Sequence, residues 1–157
     1  MGMLRGKAFT FSNSETSMSD GIVEEAFGSL GQETVSYVAT CDGGQPRVRP
    51  MMLINVDDVF YYATGTSDTK VAELMKNKKT EVCVLLGEGD DGGSLRMTGE
   101  MEFVYDEGVR AKIHGCVGFI QGFWEEPQDP GFTLLEFKPW TLQLMRPGTI
   151  EVQRADI

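Results

Sequence analysis

The stretch from Thr34 to Lys70 constrains the fold more than any other. It reads TVSYVATCDGGQPRVRPMMLINVDDVFYYATGTSDTK. Three runs rich in β-branched and aromatic residues, 34–40, 47–56 and 59–64, are separated by Asp42-Gly43-Gly44 and by Asp57-Asp58. The first is a hairpin turn signal and the second marks the next turn; connections this short make antiparallel neighbours of the three runs. In the second run Arg47, Arg49 and Met51 leave one face, while Val48, Pro50 and Met52 leave the other. The third run passes through Thr64, Ser67 and Thr69 to Lys70 and enters an amphipathic helix. Two arginines, several hydroxyls, a lysine and a helix N-terminus thus fall within about two strands of each other. That set can cradle one phosphate.

The rest of the chain is read around this core. Residues 1–19 are rich in Ser, Thr and Gly and read as a flexible arm. Ser19 or Asp20 caps a short helix carrying Ile22, Val23, Ala26, Phe27 and Leu30, with Gly31 as its end. The helix over 68–77 has Val71, Ala72, Leu74 and Met75 as its buried stripe. Thr80 to Leu86 reads as a fully buried strand. After an acidic loop over 87–93, Leu95 to Tyr105 reads as a long strand. Gly99 inside it marks a bulge or a close backbone approach. A short helix follows over 106–114, and 117–128 reads as irregular. Phe132–Phe137 and Thr141–Met145 read as two strands broken at Lys138-Pro139. The tail over 148–157 is polar and expected to fray. The expectation is one domain over 20–147, mainly β: a β-barrel of about seven strands with two or three peripheral helices. The strand after the 68–77 helix is the one crossover in an otherwise meandering order.

Charge narrows the partners. The 157 residues carry a formal net charge of -10. Such a chain repels nucleic acid and anionic membrane, so neither is an expected partner. No apolar run is long enough to span a bilayer, and no basic leader opens the chain. Cys41, Cys83 and Cys116 are odd in number and show no CxxC spacing. They fit reduced thiols in the cytoplasm better than a disulfide framework, and Cys41 and Cys83 read as core residues.

Candidate chemistry is thin outside the phosphate corner. Arg47 and Arg49 alone could be solvated edge residues; Thr64, Ser67, Thr69 and Lys70 at one adjacent corner favour the binding reading. GTSDTK lacks the spacing of a Walker A loop. His114 is the sole histidine, and with Cys116 it makes too small a set for a metal site. No GxSxG elbow accompanies it. Glu125, Glu126 and Asp129 read as a solvated acidic loop. Phe119, Phe123 and Trp124 read as core or dimer contact, or as a stacking wall for a flat ring.

The segments VSYVATCDGGQPRVRPM, FYYATGTSDTKVAELMKN, EVCVLL and LLEFKPWTLQL resemble the FMN-binding split-barrel family related to pyridoxamine 5'-phosphate oxidase, and within it the general stress protein-like subgroup. The resemblance covers roughly 20–145. It implies a six-stranded split barrel and a homodimer with FMN at the subunit interface. On that resemblance Arg47, Val48, Arg49, Pro50, Met51 and Met52 line the flavin, with Arg49 on the phosphate side. Thr64 contacts the flavin or its ribityl chain, and Ser67, Thr69 and Lys70 hold the phosphate. Arg96 with Trp124 or Trp140 of the other subunit closes the site. The family's best-known oxidase has a basic residue where Ile54 and Asn55 stand, and an Arg-x-His clamp where Trp140-Thr141-Leu142 stand. Pyridoxamine phosphate oxidation is therefore not expected. The reading is an FMN-dependent oxidoreductase of unknown substrate, with no catalytic side chain named. The alternatives are a flavin-binding protein without turnover, a deazaflavin or haem protein on the same barrel, and a barrel without cofactor.

Overall fold

Two tight turns set up the first three strands of the computed structural model, which describes residues 14–157. Strand β1 (Glu33–Asp42) turns at Gly43 and Gly44, with φ of 54° and 89°, into β2 (Gln45–Val56). β2 turns at Asp57 and Asp58, with φ of 54° and 59°, into β3 (Val59–Gly65). Aspartate is among the few residues with a side chain that tolerate this left-handed geometry. The Asn55 side chain braces the second turn by accepting the Asp58 N–H at 3.0 Å.

From β3 the chain enters helix α2 (Thr69–Lys76) and crosses to β4 (Lys79–Leu86), which pairs with β1 rather than with β3. β5 (Gly93–Phe103) follows, then helices α3 (Glu107–Cys116) and α4 (Gly118–Phe123), strand β6 (Phe132–Met145) and β7 (Val152–Asp156). The order β3-β2-β1-β4-β5-β6 closes on itself through β3–β6 pairing, and β7 is added outside the closure on β6. The result is an antiparallel six-strand barrel with one appended strand.

Alternation explains most of the packing. In β1, Ser36, Val38 and Thr40 point into the barrel while Val35 and Tyr37 point out. Leu53, Phe60, Tyr62, Val82, Met97 and Phe137 fill the interior. The outer side of β2, β3 and β6 carries a second cluster, in which Ile54 and Leu134 are covered by Ile113 of α3 and Ile120 of α4. That is why Leu53 and Ile54 are adjacent yet both buried.

Gly99 bears out both parts of its reading. The β5–β6 register shifts between Thr98 and Gly99. A Cβ on Gly99 would lie 2.1 Å from the Lys138 carbonyl, so only glycine fits there. The same shift accommodates Lys138-Pro139, so β6 is one continuous strand and not the two expected.

Other expectations are corrected. The helix α1 spans Ser14–Gly28, starting before Ser19 and ending before Gly31; residues 1–13 of the expected arm lie outside the described residues. β4 alternates instead of being fully buried, because only one face meets the barrel interior: Leu85 is exposed. Only Val71 and Leu74 of α2 are buried; Ala72 and Met75 face out. The segment read as irregular holds α4, too short and too glycine-rich to show a period. The tail does not fray over 152–156, since β6 offers it a free edge and Ala155 packs into the core. Cys41 and Cys83 sit half-buried on the outer face, and burial pushes the Cys83 thiol up.

Candidate functional site

The sequence-predicted corner forms at one end of the barrel, where β1, β2 and β3 meet α2. Asp68 caps α2 by accepting the Lys70 N–H at 3.2 Å. Capping fixes where the helix starts, and so where Lys70 and Glu73 point, three residues apart on one face. Lys70 Nζ donates to Thr64 Oγ1 at 3.0 Å, from the end of β3, and pairs with the Asp68 carboxylate.

Arg49 lies opposite Val38 in the β1–β2 ladder, on the barrel-facing side of β2. Its guanidinium donates to Thr40 Oγ1 at 2.7 Å, to the Val38 carbonyl at 3.4 Å and to Glu73 Oε2 at 2.8 Å. Thr40 donates to the same Glu73 oxygen at 2.6 Å. The sequence reading missed Glu73. Its spacing from Lys70 was the available signal, but a lone acid on a helix's polar face reads as solvated. Arg47 is exposed at the hairpin end and 3.7 Å from Asp42.

These charges act on each other. The Thr40 hydroxyl, then the Arg49 guanidinium with a weaker contribution from Arg47, hold the Glu73 carboxyl below its ordinary value against the opposing effect of burial. Lys70 does the same for Asp68, helped by the charge of Arg49. The corner is therefore one electrostatic unit, and each cation has a carboxylate partner.

The donor set fits a phosphate monoester. Ser67 and Thr69 are exposed, and their side chains make no hydrogen bond with the described residues. They flank the start of α2, where backbone N–H groups and the helix dipole favour an anion. Asp68 occupies the anion position, but its side chain is 41% exposed and can turn to solvent. A phosphate there would replace it on Lys70.

The other predicted residues distribute between the two faces of β2. Met51 packs toward the core beside the Arg49 side, while Val48 and Pro50 lie exposed and Met52 half-buried on the outer face. Arg96 is on the outer face of β5, held by Glu81 at 3.0 and 2.8 Å. Trp140 is exposed, and Phe123 too. Trp124 stacks on Phe132 at 5.1 Å. His114 is buried, with Nε2 2.8 Å from the Trp124 carbonyl. Among the described residues no group of three His, Cys, Asp or Glu is placed to hold a metal. No helix among them is long and apolar enough to cross a membrane.

A closed antiparallel barrel with an appended strand and a crossover helix at its mouth is a split barrel. The profile of the pyridoxamine 5'-phosphate oxidase family matches residues 22–146, and the chain belongs to that family. No match was found among curated proteins. Solved structures share the fold. General stress protein 26 from Bacillus anthracis is 24% identical with a TM-score of 0.66, covering 84% of this chain and 98% of its own. An FAD-binding protein from Mesorhizobium loti is 18% identical with a TM-score of 0.62, covering 75% and 89%. A heme binding protein from Mycobacterium smegmatis is 13% identical with a TM-score of 0.70, covering 85% and 57%.

Proposed function

We propose that the chain is an FMN-binding homodimer, an oxidoreductase of the cytoplasm. The observation that carries this reading is the corner itself: Lys70 anchored on Thr64, Arg49 beside it, and the open hydroxyls of Ser67 and Thr69 at a helix start. Lys70, Ser67 and Thr69 bind the phosphate, Thr64 orients Lys70, and the backbone at Met51 and Met52 faces the ring. Arg49 and Glu73 keep β2 and α2 in register, so the phosphate and ring positions stay at a fixed spacing. A bound flavin supplies hydride or electron transfer.

The second copy covers the outer face of β1, β2 and β4. There Val35, Tyr37, Val48 and Leu85 are all exposed, with Val48 at 69%. Exposed apolar side chains gathered on one sheet face suit an interface. Cys41, Cys83 and Cys116 are free thiols, in keeping with a reducing compartment.

Absorbance during FMN addition tests the binding reading. The expected outcome is stoichiometric uptake with a perturbed flavin spectrum, weakened at least tenfold by Lys70→Ala and tightened by Asp68→Asn. Absence of uptake by the unmodified protein would overturn it. A flavin carrier without turnover is the second reading, favoured by Trp140-Thr141-Leu142 standing where a substrate clamp is expected. Steady-state assays with NADH or NADPH and quinone or nitro acceptors separate the two. Haem falls behind, because His114 is already committed to the Trp124 carbonyl.

A further inference from the structure

Arg110 of α3 is a buried cation with no carboxylate in salt-bridge range among the described residues, and only 9% of its surface is exposed. Its Nε donates to the Pro127 carbonyl at 3.1 Å and to Gln128 Oε1 at 3.2 Å. Its Nη2 donates to the Phe132 carbonyl at 3.0 Å, with a longer contact of 3.5 Å to that of Asp129. The guanidinium carbon lies 4.7 Å above the Phe132 ring. Nη1 makes no hydrogen bond with the described residues. Carbonyls, an amide oxygen and a ring face are its partners in place of a carboxylate, and they leave the Nη1 edge open.

Arg110 lines a cavity of about 320 Å³ between α2, the end of β5, α3 and the loop before β6. Such a volume falls at the lower end of the roughly 300–1,000 Å³ usual for small-molecule sites. Val71, Met75, Phe103, Tyr105 and Leu134 supply apolar walls. Tyr105 is 77% exposed yet stacks on Phe103 at 6.3 Å and 16°, so a flat aromatic surface is already presented at the rim. Thr66 is spoken for by the Pro130 carbonyl and Thr133. Asp129 also lines the space; its carboxylate accepts the Gly131 N–H at 2.7 Å.

We propose that this cavity binds a small aromatic monocarboxylate, its ring between the Tyr105 side and the Met75 side and its acid group on the Nη1 edge of Arg110. One cationic edge answers one carboxylate, in the charge-assisted geometry guanidinium favours. The Asp129 carboxylate at the wall disfavours any anion there and a dianion such as a phosphate monoester most, so a single negative charge is the better match to Arg110. The site is separate from the flavin corner: neither Lys70 nor Arg49 lines it.

Calorimetry of the full chain with 2-naphthoate, and with 2-naphthamide as the neutral isostere, tests the proposal. The expected result is saturable one-to-one binding of the acid, with the amide at least tenfold weaker. Arg110→Met abolishes the preference for the acid. Tyr105→Ala, an exposed change that leaves the loop clasp intact, weakens the acid severalfold and keeps the fold legible if the Arg110 variant does not. Equal binding of acid and amide, no saturable binding up to millimolar acid, or an unchanged affinity in Tyr105→Ala would each overturn it. So would competition between the acid and FMN for one site.

Discussion

Arg49 and Arg110 are both largely buried, and the chain neutralises them differently. Arg49 faces a carboxylate, Glu73, at 2.8 Å and shares a threonine hydroxyl with it. Arg110 has backbone carbonyls, an amide oxygen and a ring face instead. The first arrangement links two elements through a charge pair and can be opened by anything that competes for either partner. The second stitches a loop to a helix and leaves a guanidinium edge to spare. One guanidinium serves a charge-balanced corner; the other lines a cavity whose one carboxylate, Asp129, lies outside salt-bridge range of it.

The largest effect is expected at Arg110. Arg110→Met strands the carbonyls of Pro127 and Phe132, and the loss of several bonds to a charged donor should destabilise by about 3 kcal/mol. Denaturant unfolding measures this; a loss below about 1 kcal/mol would mean that water replaces the clasp at little cost. Arg49→Met should cost about 2 kcal/mol, since it leaves Glu73 half-buried without its partner. The contrast sharpens in the double variant Arg49→Met with Glu73→Met. It should recover part of that loss, because both charges then leave together. Additive losses would show that the pair is not coupled.

The smallest effect is a pH dependence. The carboxyls of Glu73 and Asp68 are held below their ordinary values, Glu73 first by Thr40 and Asp68 first by Lys70. A depressed carboxyl stabilises the fold fully above its unfolded value, and the gain disappears as pH falls through its folded value. Stability should therefore drop below pH 4.5, the ordinary value for Glu73, as far as the folded values of both groups. Glu73→Gln should flatten that limb, whereas Arg110→Met should leave its slope unchanged. Urea midpoints across the acid range provide the measurement.

Much of the barrel was legible because turns and alternation are local. Gly43-Gly44 and Asp57-Asp58 announce their hairpins, and the crossover after α2 follows from the helical period between two strand runs. β7 was not legible, because Val152-Gln153-Arg154-Ala155-Asp156 becomes a strand only where β6 leaves an edge. Lys138-Pro139 suggested a break that the Gly99 bulge on the neighbouring strand removes. In the corner, the cations and hydroxyls stood out against an acidic chain. Their counter-charges did not, since Glu73 reaches Arg49 and Thr40 only after β1, β2 and α2 pack. Arg110 gave no signal at all: a single arginine in a short helix reads as solvated until its burial is known.

The β3–β6 seam that closes the barrel also sets an order of events. The β1–β2–β3 meander joins neighbours in sequence, whereas the hydroxyls of Thr66 and Thr133 meet across the seam from 67 residues apart. Loop-closure entropy makes such distant pairing late in folding. Thr64 sits on that seam, paired with Thr133, and Lys70 hangs from Thr64. Thr64, from which Lys70 hangs, is thus fixed in the barrel wall only when β3 and β6 pair. A ligand held in the anion corner stabilises the closed barrel over its open precursor, so it should slow unfolding more than it speeds folding.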